Sequence, residues 1–567
     1  MKFKINGTEY REDAPITILK AARKRGIRIP TLCSLSRPEL HFEHLPSSCR
    51  VCLVEIQGKD ELYPACSTEV AEGMEILTDS PKVIAARKTT VSLLLSDHPN
   101  DCVVCPKNGD CRLQDLAKEL GIRELPYPGK PSYENRYTDV RGLFRNPAKC
   151  IRCYRCVAVC DAVQGIRAIS PAYRNFKLRI SDPSKCITCG QCVQVCPTGA
   201  LLQSTALDRL EDLLNDPTKT VVIQTAPATR VTLGEAFHLP AGTDVSKKMA
   251  ASLKAVGFDR VFDTNFGADL TVMEEADELL RRLETNQPLP IITSCCPGWI
   301  KHLEIQYPDL LHLPSSCKSP MEMLGAMIKT YYAEKEQIDP KRIVSVALMP
   351  CLAKKREADR EELANDGLKN VDLVITVKEY AELLKRHGIL LNEIEDAEFD
   401  SPFASFSGGG AIFAHTGGVM ESVVRRLSGN DDEIRFSDCA SLPGVREATI
   451  DLNGRTLRLG IVSGLKSVRA VLDEIRKGEH RFDAIEVMAC PGGCLNGGGQ
   501  IVSSDEIQDF VLLNRKKAVS AIDKKQSARN ASENETIQKI YEGFLGKPGS
   551  QKAHELLHTR FHDSSKS

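Results

Sequence analysis

The chain has 567 residues, of which 42% are hydrophobic and 27% charged, and its formal net charge at pH 7 is −1. This length exceeds one hydrophobic core and predicts several domains. The balanced charge argues against nucleic-acid binding and against attraction to a membrane surface. We find neither a run of about 18 apolar residues nor an N-terminal signal core, so we expect a cytoplasmic protein. In that compartment the 22 cysteines indicate metal ligation rather than disulfides.

Residues 1–79 begin with an alternating strand, an Asn6-Gly7 turn and a second strand, which together predict a β-hairpin. A helical pattern follows from Ile16 to Arg25. Four cysteines come next with the spacing C-x15-C-x2-C-x13-C: Cys33, Cys49, Cys52 and Cys66. Four thiolates can hold a [2Fe–2S] cluster, and a structural zinc site is the alternative.

Residues 80–126 combine two amphipathic helical patterns, Val83 to Leu95 and Leu113 to Leu120, with a compact group of metal ligands between them. The group has the spacing H-x3-C-x2-C-x5-C and consists of His98, Cys102, Cys105 and Cys111. One imidazole and three thiols suit zinc as well as an iron–sulfur cluster on residue type alone.

Residues 127–209 contain an internal repeat of C-x2-C-x2-C-x3-C, shifted by 36 residues. This is the pattern of two-cluster ferredoxins, in which the fourth cysteine of each run ligates the other cluster. We therefore predict one [4Fe–4S] cluster on Cys150, Cys153, Cys156 and Cys196, and a second on Cys186, Cys189, Cys192 and Cys160.

From residue 210 onward, apolar runs alternate with helical patterns, which predicts parallel α/β architecture. Three of these runs are each followed by cysteines: Cys295 and Cys296, then Cys351, then Cys490 and Cys494. Cysteines at strand ends should point into one crevice, where four thiolates suffice for a cubane cluster. Cys295 is then left over beside a ligand and is a candidate proton carrier. The polar stretch 524–536 predicts an exposed tail.

The three cysteine-bearing runs, 293–299, 349–355 and 486–494, closely resemble the signature of the [FeFe]-hydrogenases. The His98 group resembles a [4Fe–4S] site shared by these enzymes and respiratory complex I. The resemblance covers essentially the whole chain and implies a multidomain α+β and α/β protein. Its expected parts are a β-grasp ferredoxin domain (1–79), a small helical cluster module (80–126), a two-[4Fe–4S] ferredoxin-like domain (127–209) and a two-lobed α/β catalytic domain (210–567).

The resemblance also implies an active-site H-cluster, in addition to one [2Fe–2S] and three accessory [4Fe–4S] clusters. Cys296, Cys351, Cys490 and Cys494 would hold its cubane, and Cys494 would bridge to a two-iron subsite with CO, cyanide and dithiolate ligands. Lys354 would donate to a cyanide ligand. The walls around the two-iron subsite would comprise Ala226, Pro227, Met349, Phe413 and Met488.

A proton route is implied by the same resemblance. Glu275, Glu278 and Arg282 share one face of a helical pattern from Met273 to Leu283. Such a charged face is more often exposed to solvent. In the family it belongs to a route that would run here through Arg282, Glu278, Ser315, Glu275 and Cys295.

The implied function is the reversible interconversion of dihydrogen with protons and electrons, with ferredoxin or a similar carrier as partner and maturation proteins to supply the cofactor. An alternative is the hydrogen-activating subunit of an NAD(P)-linked complex. The chain lacks a Gly-rich dinucleotide fingerprint, so nicotinamide chemistry would need NAD(P)H-oxidising partner subunits. A non-catalytic assembly or sensor protein is disfavoured because Cys295 and Lys354 are present.

Overall fold

The computed structural model describes all residues except 38–41, 141, 173–178, 181–184, 432, 453, 480, 503–506 and 565–567. The chain divides into two compact units. The first comprises Met1–Lys185 and Gln191–Ser204, and the second comprises Cys186–Gly190, Thr205–Ser503 and Ile507–Ser567. The finer division into four domains stays a prediction, although the second unit resumes at Thr205, near the expected boundary at residue 210.

The first unit is built from short strands and helices. They are β1 (Lys2–Ile5), β2 (Thr8–Arg11), α1 (Ile18–Arg23), β3 (Leu35–Arg37), β4 (Phe42–His44), β5 (Leu53–Ile56), β6 (Leu62–Pro64), β7 (Glu75–Leu77), α2 (Pro81–Ser96), α3 (Arg112–Glu119), β8 (Thr138–Val140), β9 (Leu143–Arg145), α4 (Arg155–Ala158), β10 (Pro171–Ala172), β11 (Arg179–Ile180), α5 (Gln191–Gln194) and β12 (Leu201–Gln203).

The N-terminal sheet has the strand order β2-β1-β7-β5-β6. The predicted hairpin is present, because β1 and β2 pair antiparallel from Lys2–Arg11 to Ile5–Thr8. Helix α1 begins after Thr17, whose hydroxyl accepts a hydrogen bond from the Lys20 amide. The apolar face of α1 is buried in one core with the inner side chains of the sheet.

The second unit contains the remaining elements. They are α6 (Leu207–Leu214), β13 (Thr220–Thr225), α7 (Ser246–Val256), β14 (Arg260–Asp263), α8 (Thr264–Glu284), β15 (Ile291–Ile292), α9 (Pro297–Gln306), α10 (Pro320–Met327), α11 (Ala333–Lys335), β16 (Ile343–Met349), α12 (Ala353–Glu357), β17 (Leu373–Thr376), α13 (Val377–Arg386), α14 (Gly408–Ile412), α15 (Gly418–Ser428), β18 (Ser437–Asp438), β19 (Val445–Leu452), β20 (Arg455–Ser463), α16 (Leu465–Arg476), β21 (Ala484–Met488), α17 (Gln508–Lys525), α18 (Glu535–Ile540) and α19 (Gln551–Leu557). None of the helices that the structure describes is long and apolar enough to cross a bilayer.

Two sheets organise the second unit. The first has the order β14-β13-β16-β17 and is parallel throughout. Its strand β16 is buried at every position, as expected for a parallel strand covered on both faces. The second sheet has the order β15-β21-β20-β19-β18.

Only three strands of the second sheet, β15, β21 and β20, run parallel to one another. The prediction of parallel architecture is wrong for the edge, where β18 and β19 run antiparallel. Strands β19 and β20 pair antiparallel as far as Leu452 and Arg455, which are only three positions apart along the chain. So short a connection is too short for the crossover that a parallel pair needs. Strand β19 is only partly buried, as an antiparallel sheet allows.

The prediction of an exposed polar tail over 524–536 is wrong only in part. Lys524, Lys525 and Ser527 are exposed, whereas Asn530 and Asn534 are buried in the second unit. Asn534 is buried, and its Nδ2 donates to Asp269 Oδ2 at 2.9 Å. Asn530 is also buried, and its Nδ2 donates to the Arg425 carbonyl at 2.7 Å. These amides are buried because they supply the hydrogen bonds that other buried groups require.

Candidate active site

The carboxyl ends of strands from both sheets of the second unit meet at one cavity. Cys295 and Cys296 follow β15, Cys351 follows β16, and Cys490 follows β21. Helix α9 begins directly after Cys296 with Pro297, a residue that suits the first turn of a helix because it has no amide hydrogen to satisfy. Ligand loops at the carboxyl ends of parallel strands are the expected place for a cofactor.

This cavity has an empty volume of about 730 Å³. All the side chains predicted to hold or surround the H-cluster line it: Ala226, Pro227, Cys295, Cys296, Met349, Cys351, Lys354, Phe413, Met488, Cys490 and Cys494. Thiolates and thioethers are soft donors that suit iron–sulfur chemistry. The donor set that lines the cavity therefore fits the implied cofactor.

Two glycines let the Cys494 loop lie close to its neighbours. Gly493 has a φ of 76°, and a Cβ there would lie 2.7 Å from the Thr416 amide nitrogen. A Cβ on Gly497 would lie 2.3 Å from the Pro350 carbonyl oxygen, next to Cys351. A larger residue at Gly497 would push apart two loops that carry predicted ligands.

Lys354 places a cation on the cavity wall. Its Nζ lies 2.6 Å from Glu357 Oε2 and donates to the Cys295 carbonyl at 3.3 Å. Burial alone would lower the pKa of Lys354, but Glu357 outweighs it and the pKa is raised. A buried ammonium held in its charged form is suited to bind an anionic ligand.

The predicted proton route is buried, not solvated. Arg282 donates from Nη2 to Glu278 Oε1 at 2.6 Å, and Ser315 Oγ donates to Glu278 Oε2 at 3.0 Å. Arg282 also donates to the carbonyls of Leu313 and Pro314 at 2.9 and 2.8 Å. The face of α8 that sequence statistics would place in solvent is instead covered by residues 313–316.

The pKa values of Glu275 and Glu278 are shifted in opposite directions. Burial and the neighbouring Glu278 raise the pKa of Glu275 to about 8, opposed only in part by the Ser294 backbone and the Ser315 hydroxyl. Burial also acts on Glu278, but Arg282 and Ser316 outweigh it and its pKa is lowered. We call Glu275, the acid nearer Cys295, the inner carboxyl and Glu278, which is paired with Arg282, the outer carboxyl. At neutral pH the inner carboxyl is therefore protonated and the outer one is ionised, as proton transfer between them requires.

We expect Glu275→Gln to weaken the pH dependence of stability. In the folded protein the pKa of Glu275 is about 8 against an ordinary value of 4.5. Its contribution to stability is complete below about pH 4.5 and is lost as the pH rises towards 8, a change on the order of a few kcal/mol. The unfolding midpoint should therefore fall less between pH 5 and pH 8.5 in the variant than in the parent. Equal falls in both proteins would contradict this assignment.

The first four predicted ligands of the first unit are all buried: Cys33, Cys49, Cys52 and Cys66. Their thiols influence one another's protonation as two close pairs, Cys33 with Cys49 and Cys52 with Cys66. The Ser47 hydroxyl lies 3.3 Å from Cys66 Sγ. Four mutually close thiols agree with a small cluster but do not distinguish iron from zinc.

His98 is arranged as a ligand would be. Its Nε2 is buried without a hydrogen-bond partner among the described residues, and the Asn100 amide nitrogen lies 3.4 Å from Nδ1. Burial, aided by Lys149, lowers the pKa of His98 to about 4. A neutral imidazole with one orphaned nitrogen is the form that binds a metal.

We expect His98→Cys to retain a [4Fe–4S] cluster with a lower reduction potential. A thiolate adds one negative charge relative to imidazole, and the potential should fall by on the order of 100 mV. Redox-titrated paramagnetic resonance measures the change. Zinc at this site in the native protein would show that the cluster assignment is wrong.

A second cavity, of about 450 Å³, lies in the first unit. Its lining includes Cys150, Cys153, Cys156 and Cys196. These four residues are predicted to hold one cluster, because the fourth cysteine of each run ligates the cluster of the other run. Of the other predicted set, Cys160 and Cys192 belong to the first unit and Cys186 and Cys189 to the second. That set stays a prediction from the sequence pattern.

Comparison with known families gives five matches along the chain. They are a 2Fe-2S iron-sulfur cluster binding domain (1–81), the NADH-ubiquinone oxidoreductase-G iron-sulfur binding region (87–126), a 4Fe-4S dicluster domain (149–200), the iron only hydrogenase large subunit, C-terminal domain (219–498), and the iron hydrogenase small subunit (509–564).

Full-length relatives agree with these matches. The chain is 44% identical to NADP-reducing hydrogenase subunit HndD of Solidesulfovibrio fructosivorans over 96% of both chains. It belongs to the [FeFe]-hydrogenase family. It is 38% identical to Iron hydrogenase 1 of Clostridium pasteurianum, over 98% of this chain and 99% of that relative.

Solved [FeFe]-hydrogenase structures share the fold. An apo variant of HydA1 from Chlamydomonas reinhardtii is 38% identical with a TM-score of 0.57, and the match covers 63% of this chain and 99% of that one. The recognition of an [FeFe]-hydrogenase with 2Fe-2S, 4Fe-4S and H-cluster regions is thereby confirmed.

Sequence reasoning missed a group of residues around the outer carboxylate of this [FeFe]-hydrogenase. Ser316 donates to Glu278 Oε2 from its amide at 2.9 Å and from its hydroxyl at 3.0 Å. His558 contacts Ser316 from the C-terminal segment. Local spacing could not reveal His558, because it lies about 240 residues from Ser316 along the chain.

Proposed function

We propose that this [FeFe]-hydrogenase catalyses the reversible interconversion of dihydrogen with protons and electrons at the cavity of the second unit. The observation that carries the proposal is the cavity itself, which is lined by every cysteine predicted to hold the H-cluster and by Cys295. Burial and the charge of Glu275 raise the pKa of the Cys295 thiol. A protonated inner carboxyl and an ionised outer one lie behind it.

The H-cluster supplies, when bound, the iron chemistry that splits and forms dihydrogen. The protein's own residues hold it and move protons. Cys296, Cys351, Cys490 and Cys494 would ligate it, and Lys354 would bind an anionic ligand. Cys295 holds a proton at the cavity, because burial and Glu275 raise the pKa of its thiol. Glu275, Ser315 and Glu278 then relay protons towards Arg282.

The accessory clusters would conduct electrons one at a time. We assign one [2Fe–2S] cluster to the four cysteines from Cys33 to Cys66 and one [4Fe–4S] cluster to the His98 group. The two overlapping cysteine runs would hold two further [4Fe–4S] clusters. The family matches over residues 1–81, 87–126 and 149–200 support these cluster types.

We further propose that the electrons pass to or from a partner subunit that handles NAD(P). This relies on the similarity to a hydrogenase subunit described as NADP-reducing, which extends over 96% of both chains. Ferredoxin is the second candidate, predicted from the ferredoxin-like modules.

Purification of the native protein with its co-eluting chains separates these candidates. Hydrogen-dependent reduction of NAD⁺, NADP⁺, ferredoxin and an artificial dye should be measured for the complex and for the isolated chain. We expect dye reduction by both, and NAD(P)⁺ reduction only by the complex. Full ferredoxin reduction by the isolated chain would favour the second candidate. If the loaded chain fails to reduce even the dye, the hydrogenase proposal is wrong.

We expect a fragment starting at Thr205 to retain dye-linked hydrogen evolution once the H-cluster is supplied. A solved relative that is matched over 99% of its length by 63% of this chain supports an independently folded catalytic part. The fragment should lose most exchange with a protein partner, because the accessory clusters are removed. Partner-linked activity equal to that of the full chain would exclude those clusters as the required route.

A further inference from the structure

His558, at the end of α19, is held beside the proton route by backbone pairing. The Lys318 amide donates to the Leu557 carbonyl at 2.8 Å, and the Thr559 amide donates to the Ser316 carbonyl at 2.8 Å. These two bonds flank His558 and fix its position opposite Cys317. The side chain is buried within the part of the chain that matches the small-subunit family.

Both ring nitrogens of His558 are engaged. Nδ1 lies 2.8 Å from Ser316 Oγ, and Nε2 lies 3.0 Å from Glu274 Oε2. Ser316 Oγ in turn lies 3.0 Å from Glu278 Oε2, to which it donates. The ring therefore joins Glu274 to the outer carboxylate of the proton route through one hydroxyl group.

When Nε2 donates to Glu274, the hydrogens of this hydrogen-bonded network can be arranged in two ways. Ser316 has one hydroxyl hydrogen, so when it donates to Glu278, Nδ1 must donate to Ser316. Nε2 then donates to Glu274, and the ring is an imidazolium. When the ring is neutral with its hydrogen on Nε2, Nδ1 instead accepts from Ser316, and Glu278 loses that donor. The charge of the ring is thus linked to the direction of the Ser316 hydroxyl.

We propose that His558 is a positioning residue of the proton route, whose charge directs the Ser316 hydroxyl and thereby sets the proton affinity of Glu278. The charged ring gives Glu278 one more hydrogen-bond donor and a nearby positive charge, so Glu278 releases its proton more readily. The neutral ring removes both effects. This inference rests on the proposed hydrogenase function, because it assigns His558 a part in that proton supply.

Glu274 supplies most of the polar contacts on this side of the ring. Its Oε2 lies 3.0 Å from His558 Nε2, and it also accepts from the Tyr541 hydroxyl at 2.5 Å and from the Gly549 amide at 2.9 Å. The His554 ring stacks on His558 with centroids 4.6 Å apart. The titratable and charged groups facing this pair of rings are Glu274, Asp277, Glu278 and Arg281 from α8, Cys317 from the segment that pairs with His558, and Tyr541.

Substitution of His558 by glutamine tests the proposal on the full-length, cluster-loaded enzyme. The glutamine amide can accept from Ser316 and donate to Glu274, but it does not titrate, so it imitates the neutral ring. We expect the parent to show an inflection of about threefold or more in hydrogen evolution within roughly pH 5–8. His558→Gln should lack this inflection and match the parent above about pH 8. Glu274→Gln should shift the inflection to lower pH, because it removes the carboxylate that stabilises the charged ring.

His554→Gln is the matched control, since this exposed ring lies next to His558 on α19 but forms no described hydrogen bond to the route. It should keep the inflection. A uniform loss of rate at every pH in His558→Gln would indicate a purely structural role and overturn the proposal, as would an inflection that persists in this variant.

A second measurement does not depend on hydrogen turnover. Magnetic resonance of ¹⁵N-histidine in the full chain should show a titrating His558 signal, assigned by its absence in His558→Gln. Glu278→Gln should lower the pKa of this ring, because it removes the negative charge that Ser316 links to it. An unchanged titration would overturn the coupling. Absence of turnover in the parent would instead refute the proposed function and leave this measurement valid.

Discussion

Cys295→Ala should reduce hydrogen evolution by about 10²–10⁴-fold while leaving the H-cluster in place. A positioned general acid or base contributes a factor of this size, and alanine leaves a gap between the cavity and Glu275. Infrared bands of bound CO and cyanide report whether the cofactor is present, and a hydrogen assay reports the rate. Normal turnover with intact bands would show that Cys295 has no role in proton transfer.

Two further variants separate proton transfer from ligation. Cys295→Asp restores an ionisable group and should recover part of the rate with a different pH dependence. Cys296→Ala removes a proposed ligand at the neighbouring position and should instead lose the cofactor bands. If Cys295→Ala also lost these bands, Cys295 would have to be counted among the residues that hold the cluster.

Cys494→Ala should abolish hydrogen turnover, because this residue is the proposed bridge between the cubane and the two-iron subsite. The variant should bind fewer irons and show no CO or cyanide bands after incubation with maturation proteins. Cys439→Ala is the matched control. Cys439 is buried, but its Sγ lies 3.5 Å from the Ser441 hydroxyl and it does not line the cavity.

Retention of the infrared bands in Cys494→Ala would refute the bridging assignment. Loss of the bands in Cys439→Ala would show that they report general folding damage and not ligation. Elemental iron analysis of both variants, beside the parent, gives the number of irons lost at each position.

The sequence by itself determined the family and the metal-ligand candidates of this protein. Metal ligands lie close together along the chain, so runs such as Cys150 to Cys160 are legible as spacing. The strands that carry Cys351 and Cys490 were also predictable, because buried parallel strands are continuous apolar runs. Both properties are local.

Only the tertiary structure decided which polar residues are buried. A helix face with Glu275, Glu278 and Arg282 is ordinarily solvated, and its burial depends on distant segments that supply hydrogen bonds to it. The antiparallel edge at β19 was missed because one half-exposed strand carries no signal for the direction of its partner. The contact of His558 with Ser316 joins positions far apart in sequence, and no periodicity encodes such a contact.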